Sequence, residues 1–390
     1  MENILPKYRR PISGVKDPKV DVSFWEEATD AFDEKDFKKS VIAVINYINP
    51  NLLKGKNTSE PIEIIQNQGS AEIQVSITDT TFSVKAPFLK ITDKTNKVAL
   101  LRRVAEVNFT PLNLAQIVLM ENELWFQYEM PIAVCQPNKI YDILREVCVY
   151  ADDLDDEFIE NYQASFYTEP QKIELSNEDR DQIWIQISDI LEDYKNYSQF
   201  FKEKRWDDFE WDIIVISLLK LSNMPYVNGK LRTDLAEYIN NLFNGNIDFK
   251  FRVDKGVNFM KKLSSKSREE IMRNVYNSEQ FISLRYRSSE QIIKDWTKAR
   301  LEMVDDYVNR KSNFNLSYYL QFNFLKLIYD YNIEENYSNA INNLLEEVSG
   351  LSPTEAAPKL SKLFYDMHKG NVNGTVTKKK SKGFFSKLFG

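Results

Sequence analysis

Apolar residues recur at spacings of three and four through Phe24, Trp25, Ala28, Ala31 and Phe32. They pause over Asp33–Asp36, then resume through Phe37, Val41, Ile42, Val44, Ile45 and Ile48 until Asn49-Pro50. This spacing predicts an αα-hairpin closed by the proline. No further copy follows at that period, so a repeat array is not expected. The rhythm then changes to two. Ile73, Val75 and Ile77, followed by Phe82 and Val84, alternate with polar residues, with turn chemistry at Asn67-Gln68-Gly69 and Thr78-Asp79. Three strands in a meander are predicted. A helix carrying Val98, Leu100, Leu101, Val104 and Val107 follows, then a hairpin of 114–121 and 123–132 turning at Glu121-Asn122, then one helix from 139 to about 164. The predicted order is α(α)-βββ-α-ββ-α.

Beyond Pro170 the period is helical throughout. Two helices are expected between 178 and 229, with a joint near 204–208. Further helices are expected at Leu231–Phe243, Gly256–Leu263, Ser267–Tyr276, Ser289–Val308, Leu316–Tyr331, Asn336–Val348 and Pro358–Met367. The loop lengths suit an all-α bundle. Residues 370–377, GNVNGTVT, have the composition of a flexible linker. The organisation expected is an irregular arm (1–20), an α+β domain (21–168), an all-α helical domain (172–368), and a linker with a basic tail (369–390).

The element order of the first domain resembles the type III secretion chaperone-like fold, including YbjN-like domains. The stretch ALLRRVAEVNFTPLNLAQIVLMENELWFQYEMPI resembles the middle of such domains: a helix with paired arginines, a loop, and a hairpin ending near a proline. The resemblance spans roughly residues 22–165. It implies a non-enzymatic domain that binds other polypeptides, often as a homodimer.

Composition narrows the class. The chain has 390 residues, 43% of them hydrophobic and 13% aromatic, enough for two cores. The start, MENILPKYRRPISG, lacks the apolar run of a secretory leader. Two cysteines, Cys135 and Cys148, make neither a disulfide framework nor a metal-ligand pattern, so a reducing, cytoplasmic setting is expected. The net charge is −7; residues 371–390 carry five lysines and no acid, which leaves −12 on residues 1–370. No basic stripe interleaved with aromatics stands out in that acidic body, and nucleic-acid binding is not expected. The abundance of Asn, Ile and Lys hints at an AT-rich, bacterial genome.

Candidate chemistry is sparse. The single histidine, His368, adjoins the linker and reads as a surface residue, so no nucleophile triad is expected. Neither a P-loop nor a Gly-x-Gly-x-x-Gly fingerprint occurs. Asp152, Asp153 and Asp156 reproduce an Asp-Asp-x-x-Asp spacing that can share a hard cation on a helix, as in helical terpenoid enzymes. The nearest second set, Asn161, Ser165 and Glu169, lacks its middle acid. The cluster Asp152, Asp153, Asp155, Asp156 and Glu157 therefore reads as a solvated helix end, or as an acidic docking patch for a basic partner or for the chain's own lysine tail. The tryptophans at 25, 125, 184, 206, 211 and 296 read as core, with KRWDDFEW (204–211) the stretch where a ring is expected at the surface.

The last residues, TKKKSKGFFSKLFG, are the most specific feature. At about 100° per residue Phe384, Leu388, Phe385 and Phe389 fall within one arc of about 140°, with Lys387 opposite. Lys378, Lys379, Lys380 and Lys382 precede them. The tail resembles the C-terminal membrane-targeting sequence of MinD-type division-site ATPases, whose nucleotide motif this chain lacks. It reads as a basic amphipathic helix for an anionic membrane surface. A partner's groove and self-docking are the alternatives. The expectation is a non-enzymatic, cofactor-free adaptor or chaperone-like protein that binds protein partners, cytoplasmic and peripheral on the inner face of the cytoplasmic membrane. The alternatives are a tail that serves as a peptide ligand, and a magnesium-dependent enzyme built on Asp152, Asp153 and Asp156.

Overall fold

The computed structural model describes residues 5–12, 21–170 and 172–372. The chain is mixed α+β, with an antiparallel sheet in its first part and mostly helices thereafter. It divides into two compact units: Pro11–Arg287 with Leu325–Asn332, and the described residues of Glu2–Arg10, Ser288–Phe324 and Ile333–Gly390. The chain passes from the first unit to the second at Arg287/Ser288 and returns to it over Leu325–Asn332.

The first unit opens with α1 (Ser23–Asp33) and α2 (Phe37–Ile48). The αα-hairpin turns at Lys35, in the left-handed region at φ +65°. Asp36 caps α2 by accepting from the Lys39 N–H. The meander is β1 (Ile62–Gln68), β2 (Ala71–Ile77) and β3 (Thr81–Lys90). Helix α3 (Lys97–Phe109) leads to β4 (Gln116–Met120) and β5 (Glu123–Pro131), and the sheet order is β1-β2-β3-β5-β4 with antiparallel neighbours. A two-residue strand, β6 (Ser165–Phe166), pairs with the end of β3. Alternate residues of β2, from Ala71 to Ile77, are buried; α4 (Pro137–Asp153) packs on the sheet, and α1 and α2 pack on α4. Pro87 sits in a central strand where a proline is normally excluded. It is accommodated by a register shift between Pro87 and Leu89, where Phe88 is the extra residue.

The expected single helix after 139 is two. Helix α4 ends at Asp153 and α5 (Asp155–Tyr162) begins after a kink at Leu154. Asp155 terminates the run by turning its carboxylate back onto the Asp156 N–H at 2.6 Å.

Long helices follow: α6 (Asn177–Lys204), α7 (Asp207–Ser222), α8 (Gly229–Phe243) and α9 (Phe249–Ser265), then the short α10 (Arg268–Met272). The joint expected near 204–208 is Arg205, left-handed at φ +58°. Helix α7 is apolar around most of its circumference: Ile213 to Ile216, Leu218, Leu219 and Leu221 are all buried, because α6, α8 and α9 pack against it. The segment after α10 departs from the expected all-α organisation. Phe281 and Ile282 are buried in the core of the sheet domain, Ile282 N–H donates to Gln68 Oε1 at 3.0 Å, and Gly69 N–H donates to Glu279 O at 2.9 Å. The unit closes with β7 (Tyr286–Arg287) paired in parallel to β8 (Tyr331–Asn332).

The second unit holds α11 (Glu290–Asn309), the first part of α12 (Asn313–Asp330), α13 (Glu335–Glu347) and α14 (Pro353–His368). Helix α14 starts in a Ser352–Glu355 capping box. Trp296, Val304, Ile341, Leu345 and Phe364 form its core. The irregular arm contributes Leu5 and Tyr8, both buried. No described helix is long and apolar enough to cross a membrane.

Candidate functional site

The densest assembly of charge lies inside the first unit, where the α4–α5 kink meets the β1–β2 turn and the start of α8. The two-residue turn Gly69-Ser70 requires a positive φ at its first position, and Gly69 supplies +58°. A Cβ there would lie 2.0 Å from Asp152 Oδ1, so glycine is also needed for the close approach. Asp152 Oδ1 accepts from the Ser70 N–H at 2.7 Å and from Ser70 Oγ at 2.9 Å. Ser70 Oγ also meets Asp155 Oδ2. Arg232, on the first turn of α8, donates from Nη2 to Asp152 Oδ2 and to Asp153 Oδ1, both at 2.6 Å.

The expected solvated helix end is thus largely interior: Asp152 and Asp155 are only 6% and 4% exposed. Burial pushes the Asp155 carboxyl well above the usual range, and the charge of Asp152 pushes it further. Burial also raises Asp153 despite Arg232, and raises Asp156, where Asp152 and Glu160 add repulsion. A serine hydroxyl carries one proton. The Ser70 hydroxyl therefore donates to Asp152 or to Asp155 at any one time, which couples the two carboxyls through Ser70. Glu157 is held from outside by Arg103, whose Nε lies 2.7 Å from its Oε1. A polar cavity of about 30 Å³, lined by Ser70, Glu72, Asp155 and Glu169, adjoins the cluster and has room for about one water.

These carboxylates do not form the shared-cation site considered above. Asp152 and Asp153 face one guanidinium, and among the described residues no group of three or more His, Cys, Asp or Glu side chains is arranged for a metal. Nor do Asp152 and Asp155 form an exposed docking patch, since their oxygens are taken within the chain. The arrangement acts as a buried latch joining a hairpin turn, a helix kink and a helix start.

His368 is not the free surface residue expected. It is half-buried at the end of α14, with Nδ1 3.0 Å from the hydroxyl of the buried Thr297. Cys135 and Cys148 are buried thiols; burial raises Cys148 and pushes Cys135 up to about 12, so neither is poised as a nucleophile. Trp206 of KRWDDFEW is 41% exposed, and Trp211 donates to Leu242 O at 3.2 Å. Lys378, Lys379, Lys380, Lys382, Phe384, Phe385, Lys387, Leu388 and Phe389 lie outside the described residues.

The two sheet edges differ in a way the sequence did not reveal. On β4, the Asn108 side chain pairs with both backbone groups of Ile117, accepting from its N–H at 2.7 Å and donating to its carbonyl at 2.9 Å. Glu146 takes the N–H groups of Asn113, Leu114 and Ala115. That edge is covered from Asn113 to Ile117, and Leu119, the next outward-facing residue, is 40% exposed. On β1, the two-residue turn makes Gln68 and Ala71 a hydrogen-bonded pair. The backbone groups of Asn67, Ile65 and Glu63 consequently point away from β2. Lys56 Nζ donates to Glu63 O at 2.7 Å, as that parity requires. No backbone partner lies against Ile65 or Asn67 among the described residues, and the Ile65 side chain is 65% exposed.

Protein-family models and curated proteins offer no match to the chain.

Proposed function

We propose that the protein is a non-enzymatic, chaperone-like adaptor that accepts an extended segment of a partner polypeptide along β1, while its basic tail places it at an anionic membrane surface. The open edge at Ile65 and Asn67 carries the first part. An added strand would gain the N–H and C=O pairs of both residues, and the exposed Ile65 side chain would meet an apolar partner residue. On β4 the Asn108 side chain occupies the Ile117 backbone, so the run of consecutive free outward pairs is longer on β1. The order α-βββ-α-ββ-α supports likeness to the chaperone-like, YbjN-like class, and the clustering of Phe384, Phe385, Leu388 and Phe389 behind lysines supports the tail's role. We place its action in the cytoplasm, on the inner face of the cytoplasmic membrane.

The edge is tested by a photo-crosslinking residue introduced at Asn67 or, in a second preparation, at Gln116 on β4, which is exposed beside the covered stretch 113–117. Polypeptide adducts are expected at 67 and not at 116, and Ile65→Pro, which removes one edge donor, should abolish them. Equal adducts at both positions, or adducts indifferent to Ile65→Pro, would refute strand addition.

A further inference from the structure

The acidic body contains a strongly basic helix. Residues 249–268, FKFRVDKGVNFMKKLSSKSR, carry seven lysines and arginines and one aspartate, a net +6 in a chain of net −7. Helix α9 covers most of this stretch and begins two turns earlier than its periodicity from Gly256 predicts, because Asp248 caps it through the Phe251 N–H. Its inner face is Gly256, Phe259, Met260 and Leu263. Gly256 lets the helix approach so closely that a Cβ would sit 3.0 Å from Ile214. The outer face is left to Lys250, Phe251, Lys255, Lys261 and Lys262, all exposed. Two aromatic rings stand in water at its start: Phe249 is 40% and Phe251 53% exposed. Each lies under a cation of the same helix, Arg252 at 5.5 Å from the Phe249 ring and Lys255 at 4.8 Å from Phe251. This is a basic stripe interleaved with aromatics, which the amino-acid pattern had not been expected to hold.

We infer that the outer face of α9, led by Phe249 and Phe251, is a second contact surface for an anionic lipid bilayer, separate from the tail. Lysines flanking an exposed ring suit headgroup phosphates around a shallow apolar insertion. Lys255, which shelters the Phe251 ring in water, can turn to those phosphates as the ring enters the interface, while Arg252 stays on the Leu242 carbonyl. The choice of lipid over nucleic acid rests on the membrane reading of the tail; the charge and the exposed rings do not.

The test is co-sedimentation of the full chain with vesicles of phosphatidylcholine alone or mixed with phosphatidylglycerol, at low and high salt. Four forms are compared: unaltered, Lys255→Glu with Lys262→Glu on α9, Phe385→Asp with Leu388→Asp in the tail, and all four substitutions together. The α9 form should bind anionic vesicles about tenfold more weakly or worse. The tail form should keep salt-sensitive binding that the combined form loses. Phe251→Ser, which leaves the charge unaltered, should weaken binding with an unchanged salt dependence. An α9 form that binds like the unaltered chain would overturn this inference and leave the tail reading standing. A tail form that binds like the unaltered chain, beside a weakened α9 form, would overturn the tail reading alone. If no form sediments with vesicles, both fall. Binding to a DNA duplex that the α9 substitutions abolish, with no vesicle binding, would also overturn the lipid assignment. All the α9 positions are exposed, and equal melting curves establish that the variants are folded.

Discussion

Replacing Arg232 by leucine tests whether the buried cluster is the latch described above. Its guanidinium reaches Asp152 and Asp153 at 2.6 Å each, with side chains only 16%, 5% and 30% exposed. Removing it strands two carboxylates beside a third, Asp155, that is already buried. Breaking a buried pair from one side costs about 3–5 kcal/mol. At about 2–4 °C per kcal/mol this is a fall of roughly 10 °C in the melting temperature of the first unit. The loss should depend on pH with a definite sign. Asp153, Asp155 and Asp156 have folded-state values above the unfolded carboxylate value of about 3.9. Their charged forms therefore oppose folding above that range, and protonation relieves the penalty as pH falls toward about 4. Arg232→Leu should be most destabilised at about pH 7.5 and markedly less so at about pH 5. Adding Asp152→Asn and Asp153→Asn should recover much of the loss at the higher pH. Thermal unfolding followed by circular dichroism measures all three variants. A shift under about 2 °C, or an equal shift at both pH values, would refute the latch.

Three further outcomes follow from the geometry. Gly69→Ala should cost about 3 kcal/mol or more in urea unfolding, because left-handed backbone alone costs about 1–2 kcal/mol and the new Cβ meets the Asp152 carboxylate; a loss under about 1 kcal/mol would mean that the turn relaxes freely. Asn108→Ala should free both backbone groups of Ile117, lower stability by about 1–2 kcal/mol, and open β4 to concentration-dependent self-association, read by sedimentation velocity. Burial and the neighbouring Asp208 push the Asp212 carboxyl up to about 7. Above its unfolded value of about 3.9 the charged form opposes folding, so Asp212→Asn should stabilise the protein at about pH 8, by about 2 kcal/mol, and lose that gain near pH 4, as melting curves at the two pH values would report.

The periodicity of the chain carried the element order. Alternation in Ile73, Val75 and Ile77 marked β2, and three-four spacing marked α1, α2 and the helices from α6 to α14, because a strand or helix that buries one face writes its own repeat into consecutive residues. Boundaries were legible where a local device sets them, as at Asn49-Pro50. They were missed where the device is a side chain folding back, as at Asp155 in the α4–α5 kink and Asp248 at the start of α9. The acidic cluster was visible as residues and misjudged as surface. Its partner, Arg232, lies 80 positions from Asp152, and Ser70 lies 82 positions before it, so no local pattern links them.

What the sequence determined by itself is therefore everything that repeats along a single element, together with the charge contrast between the body and residues 371–390. Only the tertiary structure decided which carboxylates are buried and where a side chain covers a sheet edge, and that Phe281 and Ile282 complete a core more than a hundred residues upstream. The physical reason is that burial of a charge or satisfaction of an edge depends on what the chain brings back from far along its length. That choice is made by packing, not by the period of any one segment.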